Sequence, residues 1–262
     1  MTQSKNSAFL EVSDLTLAYK TGVFSVNAVE NVSFSAGESE RLILLGPSGC
    51  GKSTILKAIG GFIKPAAGRI VFNGDEIKKP AADRAMVFQE FDQLLPWKSA
   101  LGNIVFALRA ARKIGKQEAI ERARLWLSKV GLSGFENSYP HTLSGGMKQR
   151  AAIARALALG SKAILMDEPF ASLDALTRKE MQEELLSLWE ETRFTLVFVT
   201  HSIDEALILG NKIVMFSARP GRVIDAIDSP LQNAKSVSNA NFAELKDRVS
   251  RILFKDRLEY VI

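Results

Sequence analysis

At 262 residues the chain has room for one large α/β domain or two small ones, and either would bury a real core. Its 47% hydrophobic and 24% charged residues are ordinary for a soluble globular protein. The net charge of +5 (34 basic, 29 acidic residues) is interspersed rather than blocked, which argues against a nucleic-acid partner, and the single Cys50 excludes an internal disulfide framework and fits a reducing compartment.

The N-terminal "MTQSKNSAFLEVSD" lacks the apolar region of a secretory signal, and no run of about 18 apolar residues follows anywhere. The expectation is a cytosolic protein, or one held at a membrane by something else. "FLEVSDLTLAY" and "AVENVSF" alternate like half-buried strands. "RLILL" is a compact buried strand that runs straight into a glycine loop, and "KSTILKAIGGFI" after it reads as a helix closed by Gly60 and Gly61. "GRIVFNGDEI" is a strand and turn. From about Trp97 to Gly131 the texture is helical: Ile120, Ala123, Leu127 and Val130 recur at helical spacing, and Gly131 stands where a helix ends. "AILMDEP" and "TLVFVTH" are buried strands ending in polar residues. Between them a helix carries Met181, Leu185, Leu188 and Trp189 on one stripe, and "SIDE" (202–205) has the form of a capping box. Strands alternating with helices predict a mostly parallel sheet covered on both faces, with a helical subdomain inserted at roughly 90–160. From about residue 226 the chain reads as a C-terminal appendage, polar and then amphipathic.

The segment Gly46, Pro47, Ser48, Gly49, Cys50, Gly51, Lys52, Ser53, Thr54 fits the phosphate-loop pattern in the context that pattern needs, a strand before it and a helix after it. Glycines let successive backbone N–H groups turn toward one anion, and the helix N-terminus adds partial positive charge. Lys52 is expected to reach the β- and γ-phosphates and the Ser53 hydroxyl to ligate Mg²⁺. Cys50, at a helix N-terminus beside Lys52, sits where a thiol's pKa is lowered; it is given no catalytic role. Asp167 and Glu168 end a buried strand, where an open α/β sheet exposes its ligand site. The first is a metal-holding candidate and the second a general base for the attacking water. An acidic pair at a strand end also caps turns; the phosphate loop upstream favours the chemical role. His201 ends the next strand at the same sheet edge, which tips an otherwise structural histidine toward function. His141 carries only a structural reading, and Gln89, after a short strand, says little alone. "NKIV" at 211–214 lacks the aspartate that a guanine-reading box needs, so a GTPase is excluded.

"LSGGMKQR" (143–150) poses a separate problem, because a nucleotide has one triphosphate and the phosphate loop already holds it. This second serine-and-glycine turn is either a structural cap or a contact to a phosphate bound elsewhere. The ordered set of Tyr19, "GPSGCGKST", Gln89, "LSGGM", "ILMDE", "SLD" and His201 resembles the nucleotide-binding subunits of ABC transporters, over about residues 9–225. The resemblance implies a phosphate-loop NTPase fold: a mostly parallel core sheet, an N-terminal antiparallel β subdomain and an inserted helical subdomain carrying the signature. It implies that Tyr19 stacks on adenine, that Gln89 senses Mg²⁺ and the membrane partner, and that Asp167 joins Ser53 and Gln89 at the metal. It assigns Glu168, His201 and Lys52 to catalysis, and 172–174 to the loop that carries Asp174. It also answers the problem of the second turn: two subunits meet head to tail, so Ser144, Gly145, Gly146 and Asp174 serve the partner's ATP. Met147 departs from the usual glutamine; since the serine and backbone N–H groups contact phosphate, little loss is expected.

"LLPW" (94–97), "DEPFASLDALTR" (167–178) and "SARPGR" (217–222) are similar to importers of nitrate, alkylsulfonates and taurine. The implied partners are a second ATP-binding subunit forming a homodimer, an integral membrane permease docking near Gln89 and residues 91–96, and indirectly a solute-binding protein. The implied place is peripheral, on the cytoplasmic face of the membrane. The alternatives are a soluble ABC ATPase acting on nucleic acid or ribosomes, an exporter subunit, or a motor for a different small solute. The first usually has two cassettes or a long coiled-coil insertion, and residues 54–143 hold no sustained heptads. An exporter subunit is normally fused to membrane helices, which are absent from this sequence.

Overall fold

The alternation read at the N-terminus folds into a long hairpin, β1 (Leu10–Thr21) antiparallel to β2 (Phe24–Ala36). The computed structural model describes residues 8–21, 24–89, 93–229 and 240–259. β3 (Arg41–Leu45) follows, with Leu42 to Leu45 fully buried, and leads through the glycine loop into α1 (Lys52–Ile59). That helix ends as its glycines predict: Gly61 takes φ 81°, its N–H reaches the Ala58 carbonyl and the Phe62 N–H reaches Lys57. This is the paired bonding of a left-handed helix stop. β4 (Ala67–Phe72) returns antiparallel to β1, and β5 (Asp75–Glu76) folds back on it across Asn73 and Gly74. Both turn residues have positive φ (50° and 88°), the conformation that a tight two-residue hairpin requires.

After β6 (Arg84–Val87), the helical texture resolves into two helices, α2 (Ala100–Arg112) and α3 (Lys116–Lys129). The break comes at Lys113, which adopts φ 55°, a conformation no helix continues through. The α3 stop again uses a glycine: the Gly131 and Leu132 N–H groups bond Ser128 and Leu127. A 3₁₀ turn (Pro140–Thr142) precedes α4 (Gly145–Ala158), and β7 (Ala163–Asp167) precedes α5 (Ala175–Thr192), whose Met181, Leu185, Leu188 and Trp189 are all buried. β8 (Thr195–Thr200), α6 (Ile203–Leu209), β9 (Lys212–Phe216), β10 (Val223–Asp228) and α7 (Ala240–Glu259) complete the order. Residue 226, where the appendage was expected to begin, lies within β10. Residues 230–239, read as the polar part of that appendage, lie outside the described residues.

The chain divides into two compact units, residues 1–80 with 195–262, and residues 81–194. The first holds the antiparallel sheet β2-β1-β4-β5 and a second run of strands in which β3 lies between β8 and β9, parallel to both, with β10 antiparallel to β9. Burial on both faces explains the unbroken apolar runs of β3 and β8. Each fully buried leucine, isoleucine or valine there contributes about 1.5–3 kcal/mol of apolar transfer. The second unit holds β6 and β7, paired in parallel, with α2, α3 and α4 packed on one another. Arg112 ties this unit together: its guanidinium donates to the carbonyls of Ala82, Leu159 and Gly160, joining the end of α2 to the segments that lead into β6 and β7. Among the described residues no helix is long and apolar enough to cross a membrane.

Candidate nucleotide-binding site

The phosphate loop owes its shape to three close approaches. Gly51 has φ 100°, and a Cβ there would lie 2.5 Å from the Val29 side chain. A Cβ on Gly46 would lie 2.9 Å from the Phe216 carbonyl, and one on Gly221 would fall 2.0 Å from the Cys50 carbonyl. The loop is therefore pressed between β2, the end of β9 and the segment before β10. Lys52 is 4% exposed, and its ammonium donates to the carbonyls of Gly46 (2.7 Å) and Pro47 (2.8 Å), with the Cys50 sulfur at 3.6 Å. The buried charge is satisfied by the loop it serves, as a buried ammonium must be. No side chain caps α1, so its first N–H groups keep their partial positive charge available to an anion.

Two further predicted residues lie in the same unit. The Tyr19 hydroxyl pairs with Thr54 Oγ1 at 2.9 Å, which sets a partly exposed ring beside the first turn of α1. The pairing of β8 with β3 puts Thr200 level with Leu45, so His201 leaves the sheet as Gly46 does, and it is exposed. The capping box read at 202–205 forms by half. The Ser202 hydroxyl accepts the Glu205 N–H (3.3 Å), whereas the Ser202 N–H goes to Thr200 Oγ1 (3.0 Å), and that hydroxyl donates to Glu205 Oε2 (2.6 Å).

The remaining predicted residues gather in the second unit. Val87 pairs with Met166, so Gln89 and the carboxylates of Asp167 and Glu168 leave neighbouring parallel strands at one end. Asp167 is buried, and Glu168 turns the chain with φ 42°. A non-glycine residue in that region costs roughly 1–2 kcal/mol. Ser144 is the N-cap of α4, its hydroxyl accepting the Met147 N–H at 3.3 Å. The structural-cap reading of the second turn therefore holds in the free chain, and Gly145 and Gly146 open the helix. Asp174 caps α5, accepting from the Leu176 and Thr177 N–H groups and, at 2.7 Å, from the Thr177 hydroxyl. These bonds, the Thr177 hydroxyl foremost, hold its carboxyl below the usual range. A Cβ on Gly146 would meet the Thr177 methyl at 3.3 Å, so the signature turn and Asp174 rest on one residue.

Sequence reading missed the residues that brace these motifs. Gln93 bonds both the N–H and the carbonyl of Phe88, at the end of β6. Arg155 and Gln149, on α4, bond Gln93 in turn, at 2.7 and 3.3 Å. The signature helix and the segment after Gln89 are thereby joined over 62 residues of sequence. Phe91, named as a docking position, lies outside the described residues, whereas Leu94 is buried and Trp97 is 70% exposed. "NKIV" has a structural use: the Asn211 side chain accepts the Arg41 N–H (2.8 Å). His141 stacks on Tyr139.

Cys50 requires a correction. Its helix-end position beside Lys52 suggested an activated thiol, but the side chain is 1% exposed. Burial pushes its pKa up, and the Lys52 charge opposes that only in part. Native protein is expected to react with a maleimide at least about ten-fold more slowly than an exposed thiol, with full reactivity returning in urea. Rapid labelling without denaturant would refute the burial.

A glycine loop running from a buried parallel strand into an uncapped helix, closed over a buried lysine, defines a phosphate-loop nucleotide-binding protein. The profile of the ABC transporter family matches residues 29–171. The chain is 45% identical over 237 residues to a taurine import ATP-binding protein, TauB, of Rhizobium johnstonii (87% of this chain, 90% of that one). It is 40% identical over 240 residues to an aliphatic sulfonates import ATP-binding protein, SsuB, of Bacillus cereus (92% and 94%). It is 39% identical over 256 residues to a nitrate import ATP-binding protein, NrtD, of Synechococcus elongatus (95% and 93%). A solved dimeric, post-hydrolysis structure of the ATP-binding cassette MJ0796 with ADP and Pi superposes at a TM-score of 0.74 and 33% identity, over 84% of this chain and 98% of that one. The chain belongs to the ABC transporter family.

Proposed function

We propose that this chain is the ATP-hydrolysing subunit of an importer for a small anion of the nitrate, alkylsulfonate or taurine class, docked as a dimer under a separate membrane permease at its cytoplasmic face. The observation that carries the ATPase reading is the closed phosphate loop: a buried Lys52 held by two loop carbonyls at the mouth of an uncapped helix. Lys52 and the α1 N–H groups take the β- and γ-phosphates, and Tyr19 stacks on adenine. The Ser53 hydroxyl, the Gln89 amide oxygen and the Asp167 carboxylate are hard oxygen donors of the kind that hold Mg²⁺, which when bound offsets charge developing on the phosphates. Glu168 takes the proton of the attacking water, and His201 contacts the γ-phosphate. Ser144, Gly145, Gly146 and Asp174 act on the partner subunit's ATP.

The solute class rests on relatives at 39–45% identity, named for taurine, aliphatic sulfonates and nitrate. The subunit itself never touches the solute. Deleting its gene is expected to abolish uptake of labelled taurine, an alkanesulfonate or nitrate, and the intact gene but not Lys52→Ala to restore it. Undiminished uptake of all three in the deletion strain would sink the solute assignment while leaving the ATPase reading to be measured on purified protein.

A further inference from the structure

His201 stands one residue beyond β8, on the short turn into α6, so the geometry of that turn fixes where the imidazole sits. A single hydroxyl holds the turn from both sides. Thr200 Oγ1 donates to the Glu205 carboxylate at 2.6 Å, a short charge-assisted bond, and accepts the Ser202 N–H at 3.0 Å. The residues before and after His201 are thus tied to one oxygen, and both Thr200 and Glu205 are more than nine-tenths buried. The foundation is rigid. Thr200 is registered with Leu45 in the sheet. A Cβ on Gly210, at the end of α6, would lie 2.3 Å from the Ile43 side chain, so α6 lies hard against β3. On the outer side of α6, Asp204 is paired with Lys246 of α7 at 2.7 Å.

We propose that Thr200 and Glu205 are positioning residues for His201, holding the turn so that the imidazole meets the γ-phosphate in the hydrolytic step. The inference rests on the role assigned to His201 above. Among small side chains a hydroxyl both donates and accepts; valine has the same shape and does neither.

The test is ATP hydrolysis by the full chain with Mg²⁺, read as kcat and KM separately. Thr200→Val is expected to lower kcat by roughly ten-fold or more and leave KM within about two-fold, because the phosphate loop and Tyr19 carry nucleotide binding and the imidazole acts in the hydrolytic step. Thr200→Ser, which restores the hydroxyl, is expected to recover turnover. A second readout does not depend on activity. The chain has two histidines, so in a His141→Gln background the imidazole signals in NMR belong to His201 alone. Thr200→Val should shift or broaden them, and Thr200→Ser should leave them in place. Should Thr200→Val not fold, Glu205→Gln carries the same test with a smaller fall, since it keeps an acceptor for the hydroxyl and loses the charge. Wild-type kcat in Thr200→Val, or lost turnover with unchanged His201 signals, overturns the inference. Full turnover in His201→Ala would instead remove the role of His201 itself, and the inference with it.

Discussion

Glu168→Gln is expected to bind ATP and not hydrolyse it, with turnover falling on the order of 100- to 10,000-fold, the range that a lost general base accounts for. The substitution keeps shape and length at a residue held at φ 42°, so the bend after β7 should survive. The unhydrolysed nucleotide should then hold two subunits together as a stable dimer on size exclusion. Lys52→Ala should behave differently. Its ammonium bridges the Gly46 and Pro47 carbonyls inside the loop, so the change removes the proposed phosphate contact and leaves two loop carbonyls without that partner. Leaving a buried acceptor unsatisfied costs about 1–3 kcal/mol, so ATP affinity and turnover should fall together. Near wild-type hydrolysis by Glu168→Gln would show that the base is another group.

The second large effect concerns the turn at Ser144. In a mixed dimer one subunit carries Lys52→Ala and the other Ser144→Arg. If the signature completes its own chain's site, each site holds one lesion and both fail. If it completes the partner's site, the two lesions fall in one site and the other is fully wild-type. One tightly held ATP per mixed dimer is the expected result, against two in the wild type. Arginine is used because Ser144 is also the N-cap of α4, and its loss alone would cost only about 1 kcal/mol of helix stability. Bulk and charge obstruct closure more strongly than that. Occupancy is the readout because turnover falls anyway if the sites act together. A mixed dimer without any retained ATP would defeat the head-to-tail arrangement.

Local chemistry was legible in advance, and the reason is distance along the chain. The glycine pattern of the phosphate loop, the Gly61 and Gly131 helix stops and the cap at Ser144 each involve residues within a few positions of one another. Residue type alone determines most of their geometry, since glycine takes positive φ and serine or aspartate accepts the first helical N–H groups. The break between α2 and α3 was less legible, because Lys113 is an ordinary helix former and its residue type does not announce its φ of 55°. "SARPGR" appeared only as a family mark, yet Gly221 within it lets the chain pass against Cys50.

The sequence by itself determined that this protein holds a nucleotide phosphate on strand, glycine loop and helix, and which residue types stand ready for metal, base and anion contacts. Tertiary structure decided what surrounds them. It buried Cys50 and so reversed the reactivity that its neighbour Lys52 suggested. It diverted half of the capping box at Ser202 to the Thr200 hydroxyl, and it joined α4 to Gln93 through Arg155. Solvation and hydrogen-bond partners are properties of the space around a group. Two residues 62 apart acquire them only when the chain between has folded.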